Sequence, residues 1–375
     1  MLDFEDGLYL GMPEDDYHAI ARLSASGIKT LIGNPYKFWK ESAFNPRRKA
    51  KEDTPAKKLG RAYHKLLLEG DEAFDATYAA LPSKDDYPDA IDGSEALKAE
   101  CERLGLKKNG PLLAMCERIL EKEPGLELWP VILSEFKEAS GDKEQLTKAQ
   151  WEEIQEVRFV LNHLPDIKGA FTNGWPEVTL LWTQSGVKMK CRLDYLKPRG
   201  NLAAILDLKS FANVMDVPVE TVPGIEIGRN RYFVQPIVYT EGREAIGSMY
   251  RKGMDVVHVL SGEAPSKEWL DSVLLPERSQ FDFVFVQTGG IPNIVPCEFA
   301  PGQTFGGQGF ESNEYWMKGL IEFRNGVDRF RKYAAEYGTD TPWIVAYRLK
   351  KLSDMDFKPW ALEYERDLPE EDIAA

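Results

Sequence analysis

The chain has 375 residues, of which 43% are hydrophobic and 29% charged, an ordinary globular balance that predicts one large domain or one domain with an insertion. No apolar run approaches the roughly 18 residues of a membrane span, and the acidic opening MLDFEDGLYLGMPEDDYH is unlike a signal peptide, which implies no membrane partner and a cytoplasmic location. A net charge of −14 excludes a broadly basic surface, so a nucleic-acid partner requires cations gathered in one groove. Candidates are residues 45–51 (NPRRKAK), Lys57, Lys58 and the series Lys188, Lys190, Arg192, each of which reads equally as a solvated basic face.

In LSASGIKTLIGNPYKFWK, Ser24 or Ser26 offers an N-cap to a short helix that stops at Gly33-Asn34-Pro35. A better helix follows in DTPAKKLGRAYHKLLLEG, where Thr54 can cap, Pro55 suits the first helical position and Gly70 suits the end. Gly60 lies one turn before His64 on the same face and predicts close approach to a sheet. Residues 81–172 are charged and helix-forming with no clear strand, the pattern of a helical insertion or lid. From Trp175 the period becomes two: EVTLLWT, a tight turn at QSG, VKMKCRLDYL and LAAILDLKS predict three successive strands. A helix around RYFVQPIVYTEGREAIGSMY comes next, then a hairpin from FDFVFVQT to NIVPCEF and a long amphipathic helix, NEYWMKGLIEFRNGVDRFRKYAAEYG. The expected division is residues 1–80 as the N-terminal helical part of the core, 81–172 as the insertion, 173–350 as the α/β core, and 351–375 as an acidic tail.

Two of the strands carry an aspartate where an apolar residue is expected. Alternation puts Val187, Met189, Cys191, Leu193 and Tyr195 on one face, and Lys188, Lys190, Arg192 and Asp194 on the other. Asp207 and Lys209 share a side of the next strand, as Glu177 and Thr179 do in the strand before. If the strands are neighbours, Glu177, Asp194, Asp207 and Lys209 converge. Two like charges about 4 Å apart repel by roughly 4 kcal/mol at an effective dielectric of 20. Either some carboxyls hold protons, or a hard divalent ion such as Mg²⁺ or Mn²⁺ is bound. The alternative is that both aspartates end their strands and pair with Arg192 and Lys209. His64, Gln235 and Tyr239 could face the same place, although a lone helical histidine or tyrosine is more often structural. Pro236 predicts that the helix begins or kinks at Gln235. Cys101, Cys116, Cys191 and Cys297 form no CxxC pair and read as buried thiols. His18, His163 and His258 have no zinc-ligand spacing.

The ordered set GRAYH, a glutamate before the first core strand, RLDYL, DLKS and QPIVY resembles the PD-(D/E)XK nucleases of the RecB type. With LSASGIKTLIGNPYKFW upstream it is most similar to the RecE, or exodeoxyribonuclease VIII, branch of bacterial and prophage recombination and repair systems. The resemblance spans roughly residues 15–75 and 175–345. It implies a restriction-endonuclease-like α/β fold with a mixed central sheet flanked by helices, and a Mg²⁺-dependent exonuclease on linear double-stranded DNA. His64, Asp194, Asp207 and the carbonyl of Leu208 would be metal ligands, and Glu177 an additional acid. Lys209 would orient or help deprotonate the attacking water, while Gln235 and Tyr239 hold the DNA strand. The resemblance further implies 5′ to 3′ polarity, 3′ single strands for an annealing recombinase, and a homo-oligomer. The rival expectations are another polarity, endonuclease action, or a non-catalytic DNA-binding module.

Overall fold

The computed structural model describes residues 3–49, 54–165, 167–213, 216–304, 310–345 and 351–353. The end of the basic stretch at residues 50–51 and nearly all of the acidic tail lie outside the described residues. Eleven strands are present among them: β1 (Gly7–Leu10), β2 (Tyr78–Ala80), β3 (Glu144–Leu146), β4 (Trp175–Gln184), β5 (Val187–Arg199), β6 (Leu202–Phe211), β7 (Val257–Val259), β8 (Ser279–Gln287), β9 (Ile294–Glu298), β10 (Gly302–Thr304) and β11 (Phe310–Ser312). Seven form one sheet in the order β7-β1-β4-β5-β6-β8-β9. The β1–β7 and β6–β8 pairs are parallel, and the rest are antiparallel. This is the mixed sheet flanked by helices that the sequence predicts. The QSG turn between β4 and β5 has positive φ at Ser185 and Gly186, the twist that suits a two-residue hairpin.

One face of the sheet carries the helices Ala25–Gly33, Pro35–Glu41, Val234–Arg251, Lys267–Leu274 and Glu314–Tyr337, around a core that includes Leu180, Met189, Ile205, Ile237 and Phe283. The other face carries Pro55–His64 and Lys148–His163 around Tyr63, Leu66, Ile154, Leu206 and Leu208. Ser24 caps the first of these helices by accepting from the Gly27 amide at 3.1 Å. Thr54 and Pro55 start their helix as expected. The helix bearing Gln235 begins at Val234, so Pro236 lies in its first turn, where a missing N–H is tolerated.

Three expectations are corrected. Residues 81–172 are not wholly helical, because β3 pairs with β2. Nor are they one separable lid: Ser94–Arg103, Leu112–Lys122 and Trp129–Ser140 bury their own small core of Leu97, Met115 and Ile119, whereas Lys148–His163 contributes Ile154, Val157 and Leu161 to the sheet's second core. Finally, Gly60 makes no close approach, since a side chain there would meet open space.

Candidate active site

The site lies where β5 and β6 part. Their ladder runs from Arg199–Leu202 to Tyr195–Leu206 and ends there, while β6 stays paired with β8 as far as Phe211. On the side of β5 that β6 has left, Leu23 makes a short parallel bridge, with Leu23 N donating to Lys188 O and Lys190 N to Leu23 O, both at 2.9 Å. The fork leaves the Leu208 amide without a β5 carbonyl, and Asp194 Oδ2 accepts it at 2.8 Å. A carboxylate thus replaces a main-chain partner at the fork.

The pleat resets at the same point. Leu193 packs into the first core but Tyr195 into the second, so the sequence-based grouping of Tyr195 with Val187, Met189, Cys191 and Leu193 is wrong by one residue of alternation. The reset coincides with a break in β4: Glu177, between the ladder pairs Pro176–Tyr195 and Val178–Leu193, has φ +52° where the pairing is interrupted opposite Asp194. A left-handed glutamate in a strand costs on the order of 1 kcal/mol or more, which the surrounding ladder sustains.

The two breaks bring the chemistry together. His64 Nδ1 stands 3.8 Å from Glu177 Oε1 and 3.9 Å from Asp194 Oδ2. One ligand atom from each of these residues lies within 4.8 Å of the others. Asp207, fully buried in β6, is in ion contact with Lys209 through Oδ2 and receives Gln235 Nε2 at 3.4 Å on Oδ1. Gln235 Nε2 also donates to Tyr239 OH at 3.2 Å. Burial and the neighbouring Asp207 push the Asp194 pKa up to about 7. Burial opposes charge on His64, yet Asp194 and Glu177 outweigh it and raise its pKa. Burial likewise opposes charge on Glu177, but His64 and Arg192 hold its pKa down. Burial also opposes charge on half-buried Lys209, but Asp207 and Asp194 more than compensate and raise its pKa, keeping it an ammonium. Carboxylates plus one imidazole, with the Asp194 carboxyl crowded by Asp207, fit a divalent cation.

The family model of the PD-(D/E)XK nuclease superfamily matches residues 22–239, more than half of the chain and all of these groups. The chain belongs to that superfamily. No curated protein matches the sequence of this nuclease. A solved structure from Eubacterium rectale, provisionally named an exonuclease, is similar to it with a TM-score of 0.44 and 15% identity, over 92% of this chain and 98% of that one.

Of the residues singled out in the sequence, the nuclease brings His64, Arg192, Leu208, Lys209, Gln235 and Tyr239 to the wall of one cavity of about 440 Å³. It does not present the basic stripe of β5. Lys190 is buried, its ammonium held by the Tyr17 and Ile20 carbonyls at 2.7 and 2.8 Å. Burial, together with Arg48 and Arg22, lowers its pKa to about 7. Arg192 pairs with Glu177 and donates to Met12 O. Lys188 is exposed and paired with Asp3. The alternation correctly put these three on one face, but not in free solvent. Sequence reasoning missed Tyr17, Lys29 and Tyr232, and took Ser26 only as a possible helix cap, although all four line the same cavity. Tyr232 lies under two ammonium groups, with Lys209 at 5.3 Å and Lys29 at 5.4 Å from its ring centre. The available signal was spacing: Tyr232 is three residues before Gln235, and Lys29 three after Ser26.

Among the described residues, no helix is long and apolar enough to cross a membrane.

Proposed function

We propose that this nuclease is a Mg²⁺-dependent exodeoxyribonuclease of the RecE type, degrading linear double-stranded DNA 5′ to 3′ and leaving 3′ single strands for an annealing recombinase. The observation that carries the reading is the fork between β5 and β6, where Asp194, Asp207 and Glu177 gather beside His64 and Lys209, and the latter two line the cavity. His64, Asp194, Asp207 and the Leu208 carbonyl would hold the ion, with Glu177 as a further acid. Bound there, Mg²⁺ or Mn²⁺ would supply Lewis-acid and water-activating chemistry.

The chain's own groups do the rest. Lys209, kept charged by Asp207 and Asp194, orients the attacking water and offsets negative charge as it builds on the phosphorus oxygens. Gln235 and Tyr239, one helical turn apart and hydrogen-bonded together, hold the strand beside the scissile phosphate. Arg192, on the cavity wall, would contact phosphate, with exposed Lys188 as a further contact along β5, while buried Lys190 supports that strand from behind. A homo-oligomer and a role in recombination and repair in bacteria or prophage accompany the reading through the RecE resemblance.

The test is digestion of linear duplexes labelled at either the 5′ or the 3′ end, with Mg²⁺ and with EDTA, beside a closed circular duplex. The expected result is early loss of the 5′ label, none in EDTA, and an intact circle. Early loss of the 3′ label would reverse the polarity, a cut circle would make the enzyme an endonuclease, and no metal-dependent cleavage would remove the nuclease reading.

A further inference from the structure

The chain between the His64 helix and β4 sends one helix back to the sheet, and that helix reaches the site. Glu153, half-buried on Lys148–His163, accepts two hydrogen bonds on one oxygen: from Tyr63 OH at 2.6 Å and from the Gly289 amide at 2.8 Å. Tyr63 is buried in the second core and immediately precedes His64. Burial and the bond to Glu153 raise its pKa, keeping the phenol neutral as the donor. Gly289 opens the tip between β8 and β9, and its neighbour Thr288 donates its amide to Phe211 O at 2.8 Å, two residues beyond Lys209. One carboxylate therefore ties the histidine helix to the far end of the strand that carries Asp207 and Lys209.

That brace acts at a weak point. His64 is the last α-helical residue before a π-helical segment, Lys65–Glu69. Wide i to i+5 turns are intrinsically less stable than α-helix and depend on their surroundings. The imidazole must nevertheless keep a fixed distance from the carboxylates of two strands, although it belongs to a different layer.

We propose that Glu153 is a positioning residue for His64, acting through Tyr63, so that the last helix of the 81–172 stretch is a working part of the metal site. The inference rests on the proposed reading of His64 as a metal ligand. Residues that orient a ligand from behind typically change metal affinity about 10–100-fold when altered. The experiment measures Mn²⁺ binding by calorimetry without DNA, together with the His64 ¹⁵N shifts of the metal-free protein and duplex affinity in EDTA. Tyr63→Phe, which deletes one hydroxyl and keeps the ring, is expected to weaken Mn²⁺ about tenfold and to shift the His64 resonances. Glu153→Ala should match it. Glu153→Gln, still an acceptor, should stay within about threefold of wild type, and duplex affinity in EDTA should not move. If Glu153→Ala does not fold, Tyr63→Phe decides. Wild-type Mn²⁺ affinity and an unmoved His64 spectrum in Tyr63→Phe would overturn the positioning role; absence of Mn²⁺ binding by the wild type would instead overturn the metal-site reading.

Discussion

Two of the cavities among the described residues are of nearly equal size, about 440 Å³ at the fork and about 410 Å³ on the opposite core face, and they differ in how their buried charges are answered. In the second, Arg199 pairs with Asp282, Gln280 donates to Asp282 at 3.0 Å, and Lys197 gives its ammonium to the Gly169 and Ala170 carbonyls at 2.8 and 2.9 Å. At the fork, Asp207 helps to push the Asp194 pKa up, one ammonium, Lys209, answers both aspartates, and Lys29 donates to one backbone carbonyl at 3.3 Å. Volume does not distinguish the two. What does is whether the protein has settled its own electrostatics or left them for a ligand to settle.

Substitution of matched aspartates sharpens the contrast most. Asp207→Ala is expected to lower the cleavage rate by on the order of a thousandfold or more, about 4 kcal/mol of barrier, with folding nearly unchanged because a carboxylate repulsion is removed. Mg²⁺ should then no longer raise its melting temperature as it does for the wild type. Asp282→Ala should do the reverse, leaving the rate within about twofold while costing about 1 kcal/mol of stability, since Arg199 and Gln280 lose their acceptor. Equal rate losses in one digestion assay would abolish the distinction between the cavities.

Lys209 divides chemistry from charge inside the first cavity. If the ammonium positions water, Lys209→Arg, with its planar fork, should lose about a hundredfold or more in rate, because general catalysis by a positioned group is of that size. Duplex binding in Ca²⁺ should persist in both Lys209→Arg and Lys209→Ala, because phosphate contacts elsewhere supply most of the affinity. A fully active Lys209→Arg would leave this lysine as a counter-charge to Asp207.

The smallest effect is in pH. Asp194 titrates near 7 in the folded metal-free protein, against about 3.9 in an unfolded chain. Between these values the folded state binds the extra proton, so this residue's contribution to stability is full below about pH 4 and is lost as pH rises through 7. Denaturant titrations at several pH values should show a fall that is shallower in Asp194→Asn. The same proton must leave when metal binds, so Mg²⁺ affinity should climb with pH up to about 7 and then level off. An identical pH slope in Asp194→Asn would remove Asp194 from the account.

The parts of the site legible in the sequence are those written in period and punctuation. Asp194, Asp207 and Lys209 stood out because a charged residue in a strand of otherwise apolar positions has few uses, and Thr54, Pro55 and Ser24 announced their helix starts. Parts that depend on backbone breaks were not legible. Nothing in the residue type of Glu177 signals a left-handed φ, so the reset that sends Tyr195 to the other core is invisible to an alternation rule. Lys190 reads as a surface cation because its two carbonyl partners come from a segment some 170 residues away. Glu153 was lost among the many acids of a charged helix, and β1 and β7 are too short to show a period.

The Leu23 bridge has a consequence for how the sheet protects itself. Where β6 turns away, the free margin of β5 is closed by two hydrogen bonds from an N-terminal segment rather than by a full strand. Amide hydrogen exchange at Lys190 should therefore report local opening, while the Ala204 amide, inside continuous pairing, reports global unfolding. An open margin of this kind is a template for any extended peptide, so Leu23 also works as a plug against edge-to-edge association. The gap that opens the candidate site and the vulnerability that the N-terminal segment covers are the same stretch of backbone.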